Sequence, residues 1–241
     1  MCQYCLDAAG ARKVLGRRGF LQLAGAAASL TLLPHSAHAK TAPKPENVIS
    51  PDGALARLMN GNHRYIAGIG RRYDFQSERE ALSRGQNPFA AILSCADSRI
   101  APEFCFDTAR GDVFVCRVAG NLATDEIVAS LEYAVQVLNT PLIMVLGHDA
   151  CGAVDAAIKS IKDGTTLPGH LPSLVDAIRP AVAAAKNDTG DLLANAIRHN
   201  VSLAVDKLKN AAPILKSFAD DKKIRIVGGV YELKSGKVEL V

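Results

Sequence analysis

Ala90-Ala91-Ile92-Leu93-Ser94-Cys95-Ala96-Asp97-Ser98-Arg99 is the stretch from which the rest of this sequence is best read. A short run of apolar and small residues has the pattern of a strand buried on both faces. It then delivers a cysteine, an aspartate and an arginine at alternate positions. Side chains alternate faces along a strand, so Cys95 and Asp97 are expected on one side as the strand ends. Pro141-Leu142-Ile143-Met144-Val145-Leu146 repeats the plan and runs into Gly147-His148-Asp149-Ala150-Cys151-Gly152. Two apolar strands that each end in soft or borderline metal ligands predict one site at the carboxyl edge of a sheet.

Around these stretches, strand and helix patterns alternate. Ser50-Pro51 reads as N-cap and first helical position of a helix whose apolar side carries Leu55, Leu58, Met59 and Tyr65. A polar helix is expected over 77–83 and a helical turn over 102–106. A strand follows over 113–118, then an amphipathic helix over 124–138 with Ile127, Leu131, Ala134, Val135 and Leu138 at helical spacing. Beyond the second ligand stretch, a helix over 151–162 closes at Gly164. A Gly- and Pro-rich loop over 165–172 precedes helical patterns over 173–186, interrupted by Pro180, and over 190–210. A short helix over 213–218, a strand over 223–231 and a last strand over 237–241, turned back at Ser235-Gly236, complete the chain. The alternation predicts an α/β fold: a mostly parallel β-sheet core flanked by helices, with an antiparallel edge strand. In such sheets ligands sit beyond the carboxyl ends of strands, where both stretches fall.

The N-terminus reads as an address. Arg17-Arg18-Gly19-Phe20-Leu21 leads an apolar, Ala-rich segment ending at Ala37-His38-Ala39, a small-x-small cleavage pattern. The apolar part, 20–33, is shorter than the ~20 residues that span a bilayer, so no permanent membrane anchor is expected. The paired arginines resemble a twin-arginine export signal, with Gly16 and Gln22 departing from its usual flanks. The expected division is an export signal over 1–39, a tether over 40–49 and a catalytic domain over 50–241, with the mature chain working in a bacterial periplasm. The whole chain of 241 residues has a formal charge of +4; without the first 39 residues it keeps 24 basic and 23 acidic residues. A near-neutral body without interleaved aromatic residues gives no case for nucleic acid. Of six cysteines, Cys2 and Cys5 lie in the signal, and Cys105 and Cys116 sit in apolar surroundings as inert buried thiols rather than a disulfide.

Two thiolates, an imidazole and a carboxylate suit Zn²⁺ far better than Mg²⁺ or Ca²⁺. His148 and Cys151 are three apart across a strand-to-helix turn, close enough to chelate one ion. Cys151 at a helix N-terminus is expected to have a lowered thiol pKa. Each motif alone is weak, and their shared placement at strand ends makes the case.

Together, Cys95-Ala96-Asp97-Ser98-Arg99 and His148-Asp149-Ala150-Cys151-Gly152 resemble the paired signature of β-class carbonic anhydrases. The likeness extends through Ala56-Arg57-Leu58-Met59-Asn60-Gly61-Asn62, Gly85-Gln86-Asn87-Pro88, Arg117-Val118-Ala119-Gly120-Asn121 and Val227-Gly228-Gly229-Val230-Tyr231. The resemblance implies that Cys95, His148 and Cys151 are the permanent ligands of one Zn²⁺ per chain. It implies that Asp97 either fills the fourth position or, held by Arg99, leaves it to water. The reaction it implies is reversible hydration of CO₂ to bicarbonate and a proton by attack of zinc-bound hydroxide. A catalytic zinc keeps one position open, and two thiolates donate more charge than imidazoles, so an alkaline optimum follows. Asp97 and Arg99 would orient the nucleophile, Gln86 would hydrogen-bond substrate, and Gly152 would offer a backbone N–H or serve a tight turn.

Some members are held inactive by bicarbonate in a pocket that uses a tryptophan three residues before the first cysteine ligand. Here Ile92 stands at that position and the chain has no tryptophan, so an open, water-bound site without that inhibition is expected. The family forms homodimers, often dimers of dimers, with the first helix packing onto the partner; the apolar side of 55–65 is therefore expected between subunits. His63 and His199 read as surface residues, and His170 is a candidate proton shuttle. Competing readings keep the fold and change the role: a carbonyl sulfide or carbon disulfide hydrolase, or a non-catalytic exported zinc protein. A Cys151–His148 nucleophile is the poorest of them, since both groups are better used as ligands.

Overall fold

The computed structural model describes residues 47–241. The export signal read over 1–39, with its cysteines, and the tether as far as residue 46 lie outside the described residues. Among the described residues no helix is long and apolar enough to cross a membrane.

Helix α1, Pro51–Ile66, starts as its sequence dictates: the Ser50 hydroxyl accepts the Gly53 N–H at 3.1 Å and Pro51 occupies the first turn. The polar helix α2 is only Arg79–Leu82 and buries no residue. With no apolar face to pack, the flanking residues turn instead, the Asp74 carboxylate taking the Gln76 and Ser77 N–H groups. Strand β1, Ala90–Ser94, is followed by the helical turn α3, Pro102–Cys105, strand β2, Val113–Arg117, and a 3₁₀ turn at Ala119–Asn121. Helix α4, Asp125–Gln136, leads to β3, Leu142–His148, and α5, Gly152–Asp163, which ends at Gly164 in the left-handed conformation. Helix α6, Leu171–Ala185, begins earlier than read, because Pro172 suits a first helical turn, and it runs through Pro180. Helices α7, Leu192–Lys209, and α8, Ile214–Asp220, precede β4, Arg225–Tyr231, and β5, Val238–Leu240.

The sheet order is β2-β1-β3-β4-β5, with the first four strands parallel and β5 antiparallel at the edge. From β1 the chain goes to one side to make β2, then returns to the other side to make β3. The β1/β3 boundary is thus the point where strand order reverses, the crevice in which open α/β sheets bind ligands. Ser94 stands beside Leu146 across it, so Cys95 and His148 leave the sheet at nearly the same level.

Each strand of this pair is apolar on both faces for a reason. Ile92, Leu142, Met144 and Leu146 enter one core with α1, α5 and α6, while Ala91, Leu93, Ile143 and Val145 enter another with α4, α7 and α8. On the second face α7 comes very close: a Cβ at Gly147 or Gly228 would lie 2.5 Å and 2.7 Å from the Val201 methyls.

The apolar side of α1 does not await a partner as expected. Ala54, Leu55 and Leu58 are buried in the chain's own core, and only its far end, Tyr65 and Ile66, stays exposed. The cause lies in Gly61 and Asn62. Gly61 lets the helix backbone come down onto the Phe106 carbonyl, and the buried Asn62 amide spends its donors on the Cys105 and Gly236 carbonyls while its oxygen takes the Val238 N–H. A Cβ on Gly61 would lie 1.8 Å from the Phe106 oxygen. Gly61→Ala is expected to lower unfolding free energy by about 3 kcal/mol in denaturant titration. Gly85→Ala, where a Cβ meets nothing, is the matched control and should leave the midpoint in place.

Candidate metal centre

The first ligand stretch ends β1 in a loop whose carbonyls need partners. Arg117, at the end of β2 and in register with Ser94, supplies them. Its guanidinium donates to the Cys95, Asp97 and Ile100 carbonyls at 3.0, 2.7 and 2.9 Å. The second stretch turns sharply between β3 and α5. Ala150 adopts φ +49° there, a left-handed conformation that costs a non-glycine residue energy. Asp149 holds the turn from within: its N–H goes to the Tyr231 carbonyl, and its carboxylate takes the Leu233 N–H.

The three expected ligands come together. Cys95, His148 and Cys151 are all buried, and their donor atoms lie within 4.8 Å of one another, the two sulfurs 4.0 Å apart. His148 Nδ1 lies 2.8 Å from the Asp149 carbonyl. As an N–H there, it leaves Nε2 with a free lone pair, the usual tautomer of a metal-ligating histidine. Nε2 is buried with no hydrogen-bond partner. A buried acceptor left unmatched is costly, and a metal ion between it and two sulfurs removes that cost. The donor set is soft, as zinc prefers.

Asp97 stands apart from these three. Arg99 grips both carboxylate oxygens, Nε to Oδ1 at 3.0 Å and Nη2 to Oδ2 at 2.7 Å, and its backbone N–H adds a third bond at 2.9 Å. These bonds from Arg99 hold the Asp97 carboxyl well below the usual carboxylate range. Oδ2 comes only to 3.8 Å from His148 Nε2, so Asp97 faces the cluster without joining it. Arg99 also donates to the Ala150 carbonyl at 3.1 Å, tying the first ligand stretch to the second.

The two thiols share one proton. Cys95 is lowered to about 4, first because the Cys151 thiol donates to its sulfur, with further help from the Gly120 N–H. Cys151 is raised, chiefly by that same bond and by burial, although the Ala153 and Val154 N–H groups face its sulfur. The expectation of a lowered Cys151 pKa from its helix N-terminus is therefore corrected: beside an ionised sulfur, the helix end loses the contest. Burial pushes the Cys105 thiol up to about 11, and Cys105 and Cys116 are free and buried, as read from sequence.

Gly152 is the first residue of α5, and a Cβ there would meet nothing within 4 Å. No tight turn requires this glycine, since the left-handed residue is Ala150. Gln86 is exposed in the loop before the amino end of β1, while the cluster lies past the carboxyl end; one chain does not unite them. His170 is exposed at the start of α6, its carbonyl taking the Ser173 hydroxyl, with no hydrogen bond to the cluster. His63 is exposed; His199 is half-buried and paired with Asp188 at 2.7 Å. Arg117 and Asp149 carry roles that residue type alone does not announce. The sequence signals were that Arg117 ends an apolar strand and that both residues lie in stretches that carry the family resemblance.

The carbonic anhydrase family model matches residues 90–238. The chain is 38% identical over 193 residues to carbonic anhydrase 2 of Mycobacterium tuberculosis, covering 79% of this chain and 93% of that protein. A carbonic anhydrase of Mycolicibacterium smegmatis is 34% identical over 192 residues, with the same coverage of each. Among solved structures, the β-carbonic anhydrase CcaA superposes with a TM-score of 0.58 at 28% identity, over 77% of this chain and 94% of its own. The Coccomyxa β-carbonic anhydrase bound to acetazolamide gives 0.60 at 25% identity, over 78% and 86%.

The shared proton has a readable consequence in metal-free protein. A free thiol titrates near 9.0, and Cys95 near 4 in the fold, so the thiolate survives as pH falls through 9 and disappears only near 4. At a pH midway between, folded metal-free protein is expected to show the ultraviolet absorbance of one thiolate. Urea-unfolded protein and Cys95→Ser should lack it.

Proposed function

The chain belongs to the β-class carbonic anhydrases, and from that premise we infer that Cys95, His148 and Cys151 hold one zinc ion at which CO₂ is reversibly hydrated to bicarbonate and a proton. The observation that carries the reading is three converging donors, one of them a buried and unmatched imidazole nitrogen, beside a carboxylate held out of the cluster. Zinc bound there supplies Lewis acidity that brings the ionisation of water into the physiological range, as in the carbonic anhydrases that use three histidines.

The chain's own residues supply orientation. Asp97, kept ionised by Arg99, can only accept hydrogen bonds, so it would take the O–H of a water or hydroxide held at the site and leave that oxygen a lone pair for CO₂. Arg99 prevents Asp97 from swinging into the ligand set, and Ile92, fully buried in the core, does not offer the tryptophan of bicarbonate-inhibited relatives. We therefore read the site as open at neutral pH. The exposed N-terminal end of α5 at Gly152 favours the bicarbonate anion through the helix dipole. Gln86, exposed beyond the opposite sheet edge, can serve substrate only in the site of another copy. A homodimer or dimer of dimers fits this placement, and it fits the open edge of β2 and the exposed Val48, Tyr133 and Val137.

Stopped-flow CO₂ hydration on zinc-quantified protein tests the reading, with Asp97→Asn as the variant. Asparagine presents a donor where an acceptor is needed, and kcat/KM is expected to fall about 100-fold with zinc content unchanged. One zinc per chain without hydration at any pH would instead favour a sulfur substrate or a non-catalytic zinc protein.

The proposed place of work is the periplasm, supported by Arg17-Arg18, the apolar 20–33 and Ala37-His38-Ala39. Fractionation of the source cells is expected to recover the protein outside the cytoplasm with its N-terminus near Lys40. An intact N-terminus in the cytoplasmic fraction would overturn that assignment.

A further inference from the structure

We propose that Asn200 is a positioning residue of the metal centre, acting through the Gly120 turn on the sulfur of Cys95. Of the buried residues of α7, Asn200 is the one with a polar side chain, among Ala196, Ile197, Val201, Ala204, Val205 and Leu208. A polar group in such surroundings is costly unless it is hydrogen-bonded. It is bonded: Nδ2 donates to the Gly120 carbonyl at 2.7 Å. The helix is seated at the necessary depth by the next residue, Val201, whose methyls fill the notches at Gly147 and Gly228.

The turn that Asn200 bonds passes through two left-handed residues in succession, Gly120 at φ +75° and Asn121 at +46°; glycine takes this conformation freely, and Asn121 is the one that bears a cost. From this turn the Gly120 N–H points at Cys95 Sγ, 3.3 Å away. A donor to a ligand sulfur draws electron density from the thiolate and reduces the charge it gives to a metal. With two thiolates in the set, that withdrawal favours a more acidic metal. The chain of effects runs from the Asn200 amide to the Gly120 carbonyl, through the fixed turn to the Gly120 N–H, and on to sulfur.

This inference rests on Cys95, His148 and Cys151 being a metal centre, and cobalt(II) substitution of the full protein tests the two separately. A wild-type protein that takes up cobalt without a sulfur-to-cobalt charge-transfer band would refute the metal centre itself. With that band present, Asn200→Leu and Asn200→Ala are compared with Val205→Ala, a cavity variant on the same buried side of α7. Losing the sulfur's hydrogen bond raises its lone-pair energy. The band is therefore expected at lower energy in both Asn200 variants and unmoved in Val205→Ala. An unmoved band in the Asn200 variants that load cobalt would overturn the proposal, as would an equal shift in Val205→Ala.

Discussion

Arg99 stands at the junction on which the centre depends. Its guanidinium holds both oxygens of Asp97 and, with the same Nη2, the carbonyl of Ala150. The first contact fixes the carboxylate with Oδ2 3.8 Å from the imidazole nitrogen. The second steadies the left-handed residue that turns the chain from His148 to Cys151. Arginine suits both tasks because its fork is planar, permanently charged and rich in donors; a lysine ammonium could not present the same bidentate face to Asp97. Half of the Arg99 side chain is exposed, so the pair's value is geometric: it decides where Asp97 points.

Around that junction the sheet does the placing. Parallel strands buried on both faces are rigid, and the reversal of order at β1/β3 opens a crevice where two strand ends project side by side. Both ligand stretches leave regular structure at that level, so their backbone groups lose ladder partners and need others. Arg117 satisfies three carbonyls of the first stretch, while Asp149 links the second to the end of β4 and the residues beyond it. These supports fix the loops that carry the ligands, and the glycine notches under Val201 fix α7 against the strands from behind.

Charge is concentrated where it is used. In metal-free protein one thiolate, one neutral thiol and one imidazole face an ionised carboxylate inside a body that carries almost no net charge once the first 39 residues are set aside. A neutral, linear substrate gains nothing from long-range steering, and the near-neutral body is consistent with CO₂. The energetic work falls on short-range contacts, and these are the ones the fold has made rigid.

The sequence by itself determined the strands, the mostly parallel sheet and the three candidate metal donors, because local periodicity and residue chemistry carry that information. Alternating apolar runs report burial, and Cys95, His148 and Cys151 at strand ends report metal-binding chemistry. Only the tertiary structure decided matters that depend on residues distant in the chain. Gly61 and Asn62 dock α1 into its own core through Phe106, Cys105, Gly236 and Val238. Gln86 stands at the far sheet edge. Asn200, 80 residues after Gly120, reaches its carbonyl. The sharing of one proton between Cys95 and Cys151 likewise depends on a 4.0 Å separation of sulfurs 56 residues apart. Residue type states what a side chain can do, but hydrogen bonding and electrostatic coupling fall off within a few ångströms, so which of those capacities is used depends on the neighbours that folding supplies.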